Sequence, residues 1–327
     1  MQKSDEYMAQ KETNISLVYK KIKNLFCKSG LETSMTTPEF FDNSLLLPQK
    51  QSYKIKNTIN PIVLGDLELR LARSSCDIEA AQKLRYQVFY EELGAISTTA
   101  TRNWQLDCDE FDEKADHLLV IDRKLENKLA GKKRNSVIGT YRLIQRSHLK
   151  HKQTFYTSHE FDITKILSFP GKILELGRSC VDIHHRNNTT LRLLWLGIAR
   201  YIFNFNIDLM FGCASFPGSN PRAHRTALTY LQNWYQAPQD LCPRALPGKY
   251  VDMLKNNGTL GADDWQKNNL PPLIKGYLRV GGWVGDGAVV DNQFNTTDVC
   301  IIMKTSSIPN RYHKHYQRSF RRSLPIQ

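Results

Sequence analysis

The sequence predicts an α/β (α+β) protein whose central sheet is mixed, mostly antiparallel and flanked by helices. Three observations favour this class. Short segments alternate in polarity as strands do, longer segments between them have helical periodicity, and their order is strand, helix, antiparallel meander, helix, strand, helix. A chain of 327 residues is long enough for one large core with additional segments at its ends.

The first predicted elements begin at Leu67, where apolar and polar residues start to alternate. The segment LELRLAR alternates as a strand, and CDIEAAQKLRYQVFYEEL follows it as a helix that Asp77 is placed to cap. Three further strands form the meander, and we predict them over residues 117–122, 136–144 and 172–181.

The second half supplies the remaining core elements. We predict a helix over about 189–205 and a strongly buried strand over 208–216. Another helix starts at Pro221, because proline suits a first helical turn. An apolar strand at 299–303 closes the set.

Composition divides the chain into three regions. Residues 1–65 are predicted to be a basic, poorly structured N-terminal extension, 66–310 the folded domain and 311–327 a basic C-terminal tail. The tail interleaves basic and aromatic residues, a pattern that suits contact with an anionic membrane. A solvated basic tail is the alternative interpretation.

The net charge of +13 predicts an acidic partner, since a basic surface attracts polyanions. The candidates are nucleic acid, anionic lipid and an acidic protein. The sequence contains no zinc-finger spacing and no recognisable RNA-binding sheet motif, so no nucleic-acid partner is predicted. An acidic protein or a membrane surface is a better candidate partner than nucleic acid.

The sequence also predicts a cytoplasmic location, with peripheral contact at the inner face of the membrane left open. The N-terminal residues lack the apolar core of a signal peptide, and the longest apolar stretch is interrupted by Arg192 and Arg200. Seven cysteines without a CxxC pair indicate free thiols in a reducing compartment.

The segment ILELGRSCV carries the most informative charges, because Glu175 and Arg178 lie in an otherwise apolar strand. A structural salt bridge is one interpretation. The other is a catalytic site, in which Gly177 permits a bulge that turns both side chains to one face. The bulge amides up to Ser179 would then polarise a thioester carbonyl. Cys180 is predicted to pack in the core rather than act as a nucleophile.

Three further segments contribute candidate binding residues. Arg85 and Phe89 lie four apart on one helix face, where an arginine can clamp a carboxylate or phosphate and a phenylalanine can line an acyl channel. Asp109 and Asp112 belong to an acidic cluster that would hold the ammonium of a cationic amino acid, or else form a solvated loop. Arg142 lies in the next strand and could face the same cleft.

Taken in this order, these pieces resemble the acyl-homoserine-lactone synthases, whose fold is that of the acetyltransferases (GNAT-like). The chain is more closely similar to ornithine acyl-carrier-protein N-acyltransferases, from about Leu67 to Tyr316. That similarity is carried by LRYQVFYEE, DEFDEKADHLLVID, LELGRSCV, LLWLGIARYI, FGCASFPGSNPRAH and LPPLIKGYLRVGGWVGDGAVVDNQFNTTDVCI.

The resemblance implies amide formation between a 3-hydroxy fatty acyl group and the α-amine of L-ornithine, giving lyso-ornithine lipid. Residues 66–310 would be the GNAT-like acyltransferase domain. It implies acyl carrier protein as partner, with its phosphopantetheine thioester as co-substrate, and no permanently bound cofactor. The alternatives are an N-acyl amino acid synthase or a homoserine-lactone-type synthase with another acceptor, and a binding module without activity.

One departure from ordinary acetyltransferases concerns the loop after the ELGRSCV strand, which lacks the glycines that wrap the coenzyme A pyrophosphate. A donor held through a single phosphodiester needs less of that cradle. We expect His184, His185 and Arg186 in this loop to contact the phosphate, with His224 and Arg225 as a second carrier or pantetheine contact. No metal site is predicted for the histidine pair.

The expected mechanism needs a base, because an α-amino group with a pKa of roughly 8 is mostly protonated at neutral pH. Glu175 is the predicted base, acting directly or through a water. The arginines at 85, 142 and 178 are candidates for gripping the acceptor carboxylate, and the aspartates are expected to receive the ornithine side-chain ammonium.

Overall fold

The computed structural model describes residues 57–128, 136–150, 153–254 and 269–308. A nine-stranded sheet runs through this part of the chain in the order β1-β2-β3-β4-β6-β7-β11-β10, and β9 also pairs with β11. A separate ribbon joins β5 and β8. The strands are β1 Ile62–Leu64, β2 Leu67–Leu71, β3 Asp116–Asp122, β4 Val137–Gln145, β5 Phe161–Asp162, β6 Ile173–Val181, β7 Leu209–Pro217, β8 Arg244–Ala245, β9 Trp283–Val284, β10 Val289–Asp291 and β11 Thr296–Lys304.

Helices cover both faces of this sheet. They are α1 Ser75–Tyr86, α2 Thr99–Trp104, α3 Arg123–Lys128, α4 Thr164–Leu167, α5 Asn188–Phe205, α6 Arg225–Tyr235 and α7 Pro272–Arg279. The apolar sides of α5, α6 and α7 share one core cluster with one sheet face, whereas α1 packs in a separate cluster with residues of β3, β4 and β6. The predicted mixed sheet with flanking helices is confirmed.

Two details of the predicted elements were wrong. Ser74, and not Asp77, caps α1: its side chain accepts a bond from the Asp77 amide, while the Asp77 carboxylate binds Arg70. Residues 57–64, assigned to the extension, pack on the sheet, because β1 pairs with β2 and Ile62 is buried. The rest of the extension and the tail at 311–327 lie outside the described residues.

The strands β6 and β7 are the parallel pair of the sheet, and they separate along their length. Their register runs only from Ile173 opposite Leu209 to Glu175 opposite Phe211. Both strands then continue for six residues without pairing to each other in the described structure. We call this opening between residues 176–181 and 212–217 the gap.

Gly212 stands at the point where the gap begins. A Cβ added there would lie 2.1 Å from the carbonyl oxygen of Leu176, a distance at which atoms overlap. The two strands therefore approach closely enough at this position to require glycine.

The predicted bulge in β6 is present. Gly177 faces Arg142 and Cys180 faces Thr140, so two residues of β6 oppose the single residue Tyr141 of β4. Arg178, in the bulge, has a φ of 48°, a left-handed conformation that a non-glycine side chain rarely adopts.

None of the helices within the described ranges is long and apolar enough to cross a bilayer. Cys180 is buried and packs with α1 residues, as predicted. The prediction of free thiols is confirmed for Cys108, Cys180, Cys213, Cys242 and Cys300, but Cys76 forms a disulfide.

Candidate active site

Polar side chains collect on one face of the sheet beside the gap. Glu175, Cys213 and Asp298 come from β6, β7 and β11, and this face is covered by the loop that contains Tyr156 and Thr157. Where β6 and β7 still pair, the same face is covered by the apolar cluster around Phe211 and Ile302. The site is therefore a cluster of polar side chains at the open end of a well-packed strand pair.

Glu175 is buried, with 3% of its surface exposed, and its carboxylate faces the covering loop. Oε1 accepts a bond of 2.7 Å from the Thr157 amide and Oε2 one of 3.1 Å from the Tyr156 amide. Burial raises the pKa of Glu175 above its usual value, although these bonds oppose the rise. Glu175 thus fixes the loop and keeps a proton affinity higher than that of a surface carboxylate.

The bulge turns Arg178 to the same face as Glu175, as predicted. Its guanidinium lies over the rings of Tyr156 at 4.7 Å and Phe294 at 4.4 Å, and Nη2 is 3.1 Å from Asp109. Cation–π contact and ion pairing together hold the side chain. These contacts keep the strained backbone of residue 178 in place.

Arg85 does not reach the gap, and its predicted role in binding a substrate carboxylate is wrong. Its Nε donates to Asp107 at 2.7 Å, Nη1 and Nη2 donate to Asp112 at 2.9 and 2.8 Å, and Nη2 also donates to the Asp107 carbonyl. The side chain is 1% exposed. With its donors engaged in the interior, Arg85 is a structural residue.

Asp112 and Arg142 are also internal, and their predicted roles in acceptor binding are corrected for the same reason. Arg142 lies 3.1 Å from Asp112 and 2.5 Å from Asp109, and the side chains of Arg142 and Asp112 are 2% and 1% exposed. Burial would raise the pKa of Asp112, but Arg85 and Arg142 lower it well below its usual value.

These residues complete a buried network of three arginines and three aspartates, whose formal charges cancel. Its members are Arg85, Arg142, Arg178, Asp107, Asp109 and Asp112. Asp109 retains 22% side-chain exposure and Arg178 retains 11%, so these two lie at the solvent-facing edge. Of the arginines predicted to bind the acceptor, Arg178 is the one that can still be reached.

Phe89 lies in a π-helical turn, Gln87–Glu92, that follows α1. Because a π turn changes the angular spacing of side chains, Arg85 points into the ion network while Phe89 packs edge-on against Phe294 at 5.8 Å. Phe294 in turn contacts Arg178. Phe89 therefore belongs to an aromatic wall beside the site.

The side chain of Ser179 hydrogen-bonds to the buried Tyr141. Tyr141 and Tyr277, whose hydroxyls are 3.0 Å apart, lie in the core cluster with α5 and α7, away from Glu175. Gly177 has open space where a Cβ would be. Gly177 and Ser179, both predicted as catalytic, thus flank Arg178 in β6, and Ser179 lies with Arg178 opposite Tyr141.

The histidine loop connects the end of β6 to the start of α5. His185 Nδ1 is 2.8 Å from Asp182, and Arg186 binds Glu92 and the Val181 carbonyl. His184 is exposed. The loop follows the end of β6 that borders the gap, and His185 and Arg186 already have protein partners.

The second predicted contact lies at the end of β7. His224 Nε2 is 2.9 Å from the Pro217 carbonyl, and its ring packs on Phe216 at 5.0 Å. Pro221 opens a short 3₁₀ turn, and the α-helix itself begins at Arg225, which is exposed. His224 therefore shapes the chain beside the gap while Arg225 faces solvent.

A second acidic group lies next to the gap, and the sequence analysis missed it. Glu160, Asp291 and Asp298 each direct a carboxylate oxygen to within 4.8 Å of the others. Burial, reinforced by Asp298, raises the pKa of Glu160 to about 8, and burial raises that of Asp298 to about 6. The available signal was Asp298 at the start of an apolar strand, the same kind of buried charge that identified Glu175.

Comparison with known proteins gives the same class as the fold. Residues 84–196 match the family described as acetyltransferase (GNAT) domain. A solved N-acyl amino acid synthase from uncultured soil microbes covers 76% of this chain and 93% of its own, with 12% identity and a TM-score of 0.37. The domain match, together with 42% identity to a curated N-acyltransferase, makes this protein a GNAT-type acyltransferase.

Two curated relatives define the family more closely. The L-ornithine N(alpha)-acyltransferase of Brucella abortus (strain 2308) is 42% identical over 77% of this chain and 89% of the relative. The protein of the same name from Rhizobium meliloti (strain 1021) is 40% identical over 86% of this chain and 96% of the relative. The chain belongs to the L-ornithine N(alpha)-acyltransferase family.

Proposed function

We propose that this protein transfers a 3-hydroxy fatty acyl group from acyl carrier protein to the α-amine of L-ornithine, forming lyso-ornithine lipid. Family membership supports the acceptor. The gap between β6 and β7 carries the chemistry, since it lies beside buried carboxylates and Arg178.

The gap offers main-chain groups to the acyl donor. Residues 176–181 and 212–217 present strand edges that do not pair with each other in the described structure. An extended pantetheine arm can hydrogen-bond to such edges as an added strand would. The thioester then lies near Gly177 and Ser179, whose amides are candidates for binding the developing oxyanion.

The carrier-bound phosphate would lie near the start of α5. The loop there contains no glycine-rich cradle, which favours a donor with one phosphodiester over coenzyme A. His184, His185 and Arg186 form the proposed contact on this side, with His184 exposed. His224 and Arg225 form the contact at the other strand.

Acyl transfer proceeds by attack of the neutral α-amine on the thioester carbon. The new C–N bond forms, the tetrahedral intermediate collapses, the C–S bond breaks and the carrier leaves as a thiolate, which takes up the proton released by the amine. The amine proton passes to Glu175 through one water molecule, because the Glu175 oxygens face the loop amides rather than the gap. Arg178 binds the acceptor carboxylate from the exposed edge of the ion network.

The experiment is a mass-spectrometric product analysis with purified protein, 3-hydroxyacyl carrier protein and a panel of amino acids. The proposal predicts N-acyl ornithine as the main product. Preferential acylation of a neutral amino acid, or a lactone product, would instead support the alternative synthase functions.

A second assay concerns location. We propose a cytoplasmic protein that contacts the anionic inner face of the membrane through its basic C-terminal residues 311–327. Deleting these residues should reduce co-sedimentation with anionic vesicles while acyl transfer to ornithine in solution continues. Equal sedimentation of both forms would refute the contact.

A further inference from the structure

The acidic group beside the gap has unused hydrogen-bonding capacity. Glu160 and Asp298 are 4% and 5% exposed, yet Oε2 of Glu160 and Oδ1 of Asp298 are buried without a hydrogen-bond partner. Buried carboxylate oxygens without a partner are costly and uncommon. A carboxylate oxygen of each residue lies within 4.8 Å of one from the other and of one from Asp291.

In the part of the chain that the structure describes, no bonded cation neutralises this group. Among the described residues, no lysine, arginine or histidine forms an ion pair with Glu160, Asp291 or Asp298 within 4.0 Å; Arg178 and Lys249 act on the group only from a longer distance. This contrasts with the neighbouring network, in which three arginines balance three aspartates. Without a bonded cation, burial favours the protonated form of Glu160, and a cationic ligand bound there would favour the ionised form instead.

We propose that Glu160, Asp291 and Asp298 bind the side-chain ammonium of the amino-acid acceptor and thereby select a diamino acid. An ammonium carries three donors, which match three carboxylates converging on one point. This inference rests on the proposed function and names the residues that determine its acceptor.

The position of the group suits this role. Asp298 faces Ser215 in the pairing of β11 with β7, and the carboxylate of Glu160 lies beside the Cys213 thiol. Both partners belong to the part of β7 that borders the gap. An acceptor whose side chain ends at the acidic group would thus extend back towards the gap, where its α-amine meets the thioester.

A divalent metal ion fits the group less well. Ca²⁺ takes roughly six to eight oxygen ligands and Mg²⁺ requires near-octahedral oxygen coordination. The described surroundings supply three carboxylates and the soft Cys213 thiol. A metal is therefore an outcome to be tested and not the occupant we propose.

The test compares L-ornithine with L-norvaline, which lacks only the side-chain amine, at saturating acyl donor. In Asp298→Asn and Glu160→Gln, the KM for ornithine should rise about 10- to 100-fold, the range for charged hydrogen bonds. The kcat/KM for norvaline and the KM for the donor should stay unchanged. Thermal unfolding verifies that both variants fold, and Asp252→Asn, at an exposed position, is the matched control.

An unchanged ratio of ornithine to norvaline turnover in both folded variants would overturn the inference. Loss of activity with a chelator, restored by Ca²⁺ or Mg²⁺ alone, would assign the group to a metal and also overturn it. If the wild-type protein acylates no ornithine at all, the proposed function fails instead, so the two failures are distinguishable.

Discussion

At the scale of residues, two buried glutamates next to one gap have different surroundings. Glu175 has both carboxylate oxygens bonded to loop amides, whereas Glu160 has a buried oxygen with no partner. The first arrangement positions a loop, and in the proposed mechanism it accepts a proton through water. The second has an unused acceptor for the cationic ligand that we propose. The two glutamates are thus assigned different roles because their hydrogen-bond partners differ.

Glu175→Gln tests the proton-transfer role. The amide cannot accept the proton, so kcat at neutral pH should fall by about 10²- to 10⁴-fold. The loss should shrink as pH rises, because free amine then becomes available without a base. A pH–rate profile against wild type gives the measurement, with the exposed Glu110→Gln as control. A loss of the same size at every pH would show that Glu175 only positions the loop.

The sequence predicted part of this site, and the limit is physical. Glu175 and Arg178 are three residues apart, so a local pattern with a central glycine predicts their bulge and their common face. Glu160, Asp291 and Asp298 come from separate segments and converge only when β10 and β11 pair. Asp109 and Asp112 were expected to bind the side-chain ammonium. They pair with arginines instead, through tertiary contacts that a local sequence pattern does not show.

At the scale of elements, the divergence of β6 and β7 creates the gap. The strands β3, β4, β6, β7 and β11 were predicted to within a few residues, since apolar alternation is a local signal. Their separation after Glu175 was not predicted, because strand pairing is not encoded in the periodicity of either strand. Gly212 marks the branching point.

Gly212→Ala should disturb that branching point. The added Cβ overlaps the Leu176 carbonyl, so β6 and β7 must move apart or the chain must strain. We expect a loss of about 1–3 kcal/mol in the free energy of unfolding and a higher KM for the acyl donor. Denaturant unfolding and donor kinetics measure both. Gly248→Ala, where a Cβ meets open space, is the control, and wild-type behaviour of both variants would contradict the assignment.

The network of three arginines and three aspartates joins α1, the loop that contains Asp107 and Asp112, β4 and β6. Asp112→Asn removes a partner from Arg85 and Arg142 in a buried setting, which typically costs about 3–5 kcal/mol of unfolding free energy. Glu110→Gln, in an exposed ion pair of the same loop, should have little effect. Equal stability of the two variants in urea unfolding would show that the network is not needed for folding.

At the scale of the whole molecule, the buried carboxylates make stability depend on pH in two opposite ways. The pKa values of Asp109 and Asp112 are lowered, because arginine partners outweigh the effect of burial. Their stabilising contribution is present above the unfolded pKa of about 4 and is lost as pH falls below it. Glu160, with a pKa raised to about 8, binds its proton more tightly in the folded state.

Stability should therefore also decline as pH rises from about 4.5 to 8, because the folded state resists ionising Glu160. In Glu160→Gln, this decline in stability between about pH 4.5 and 8 should be smaller, whereas the loss of stability below about pH 4 should be unchanged. Thermal unfolding from pH 3 to 9 without substrates provides the comparison. If the stabilities of wild type and variant change in parallel between about pH 4.5 and 8, the assigned pKa of Glu160 is contradicted.

The central claim is that the gap presents a thioester to the α-amine of ornithine while the acidic group holds the side-chain amine. The most direct measurement uses purified protein, 3-hydroxyacyl carrier protein and L-ornithine carrying ¹⁵N at the α position, with fragmentation of the product by mass spectrometry. We expect the acyl group on the labelled nitrogen. Acylation of the unlabelled side-chain nitrogen, or no acylated ornithine, would contradict it.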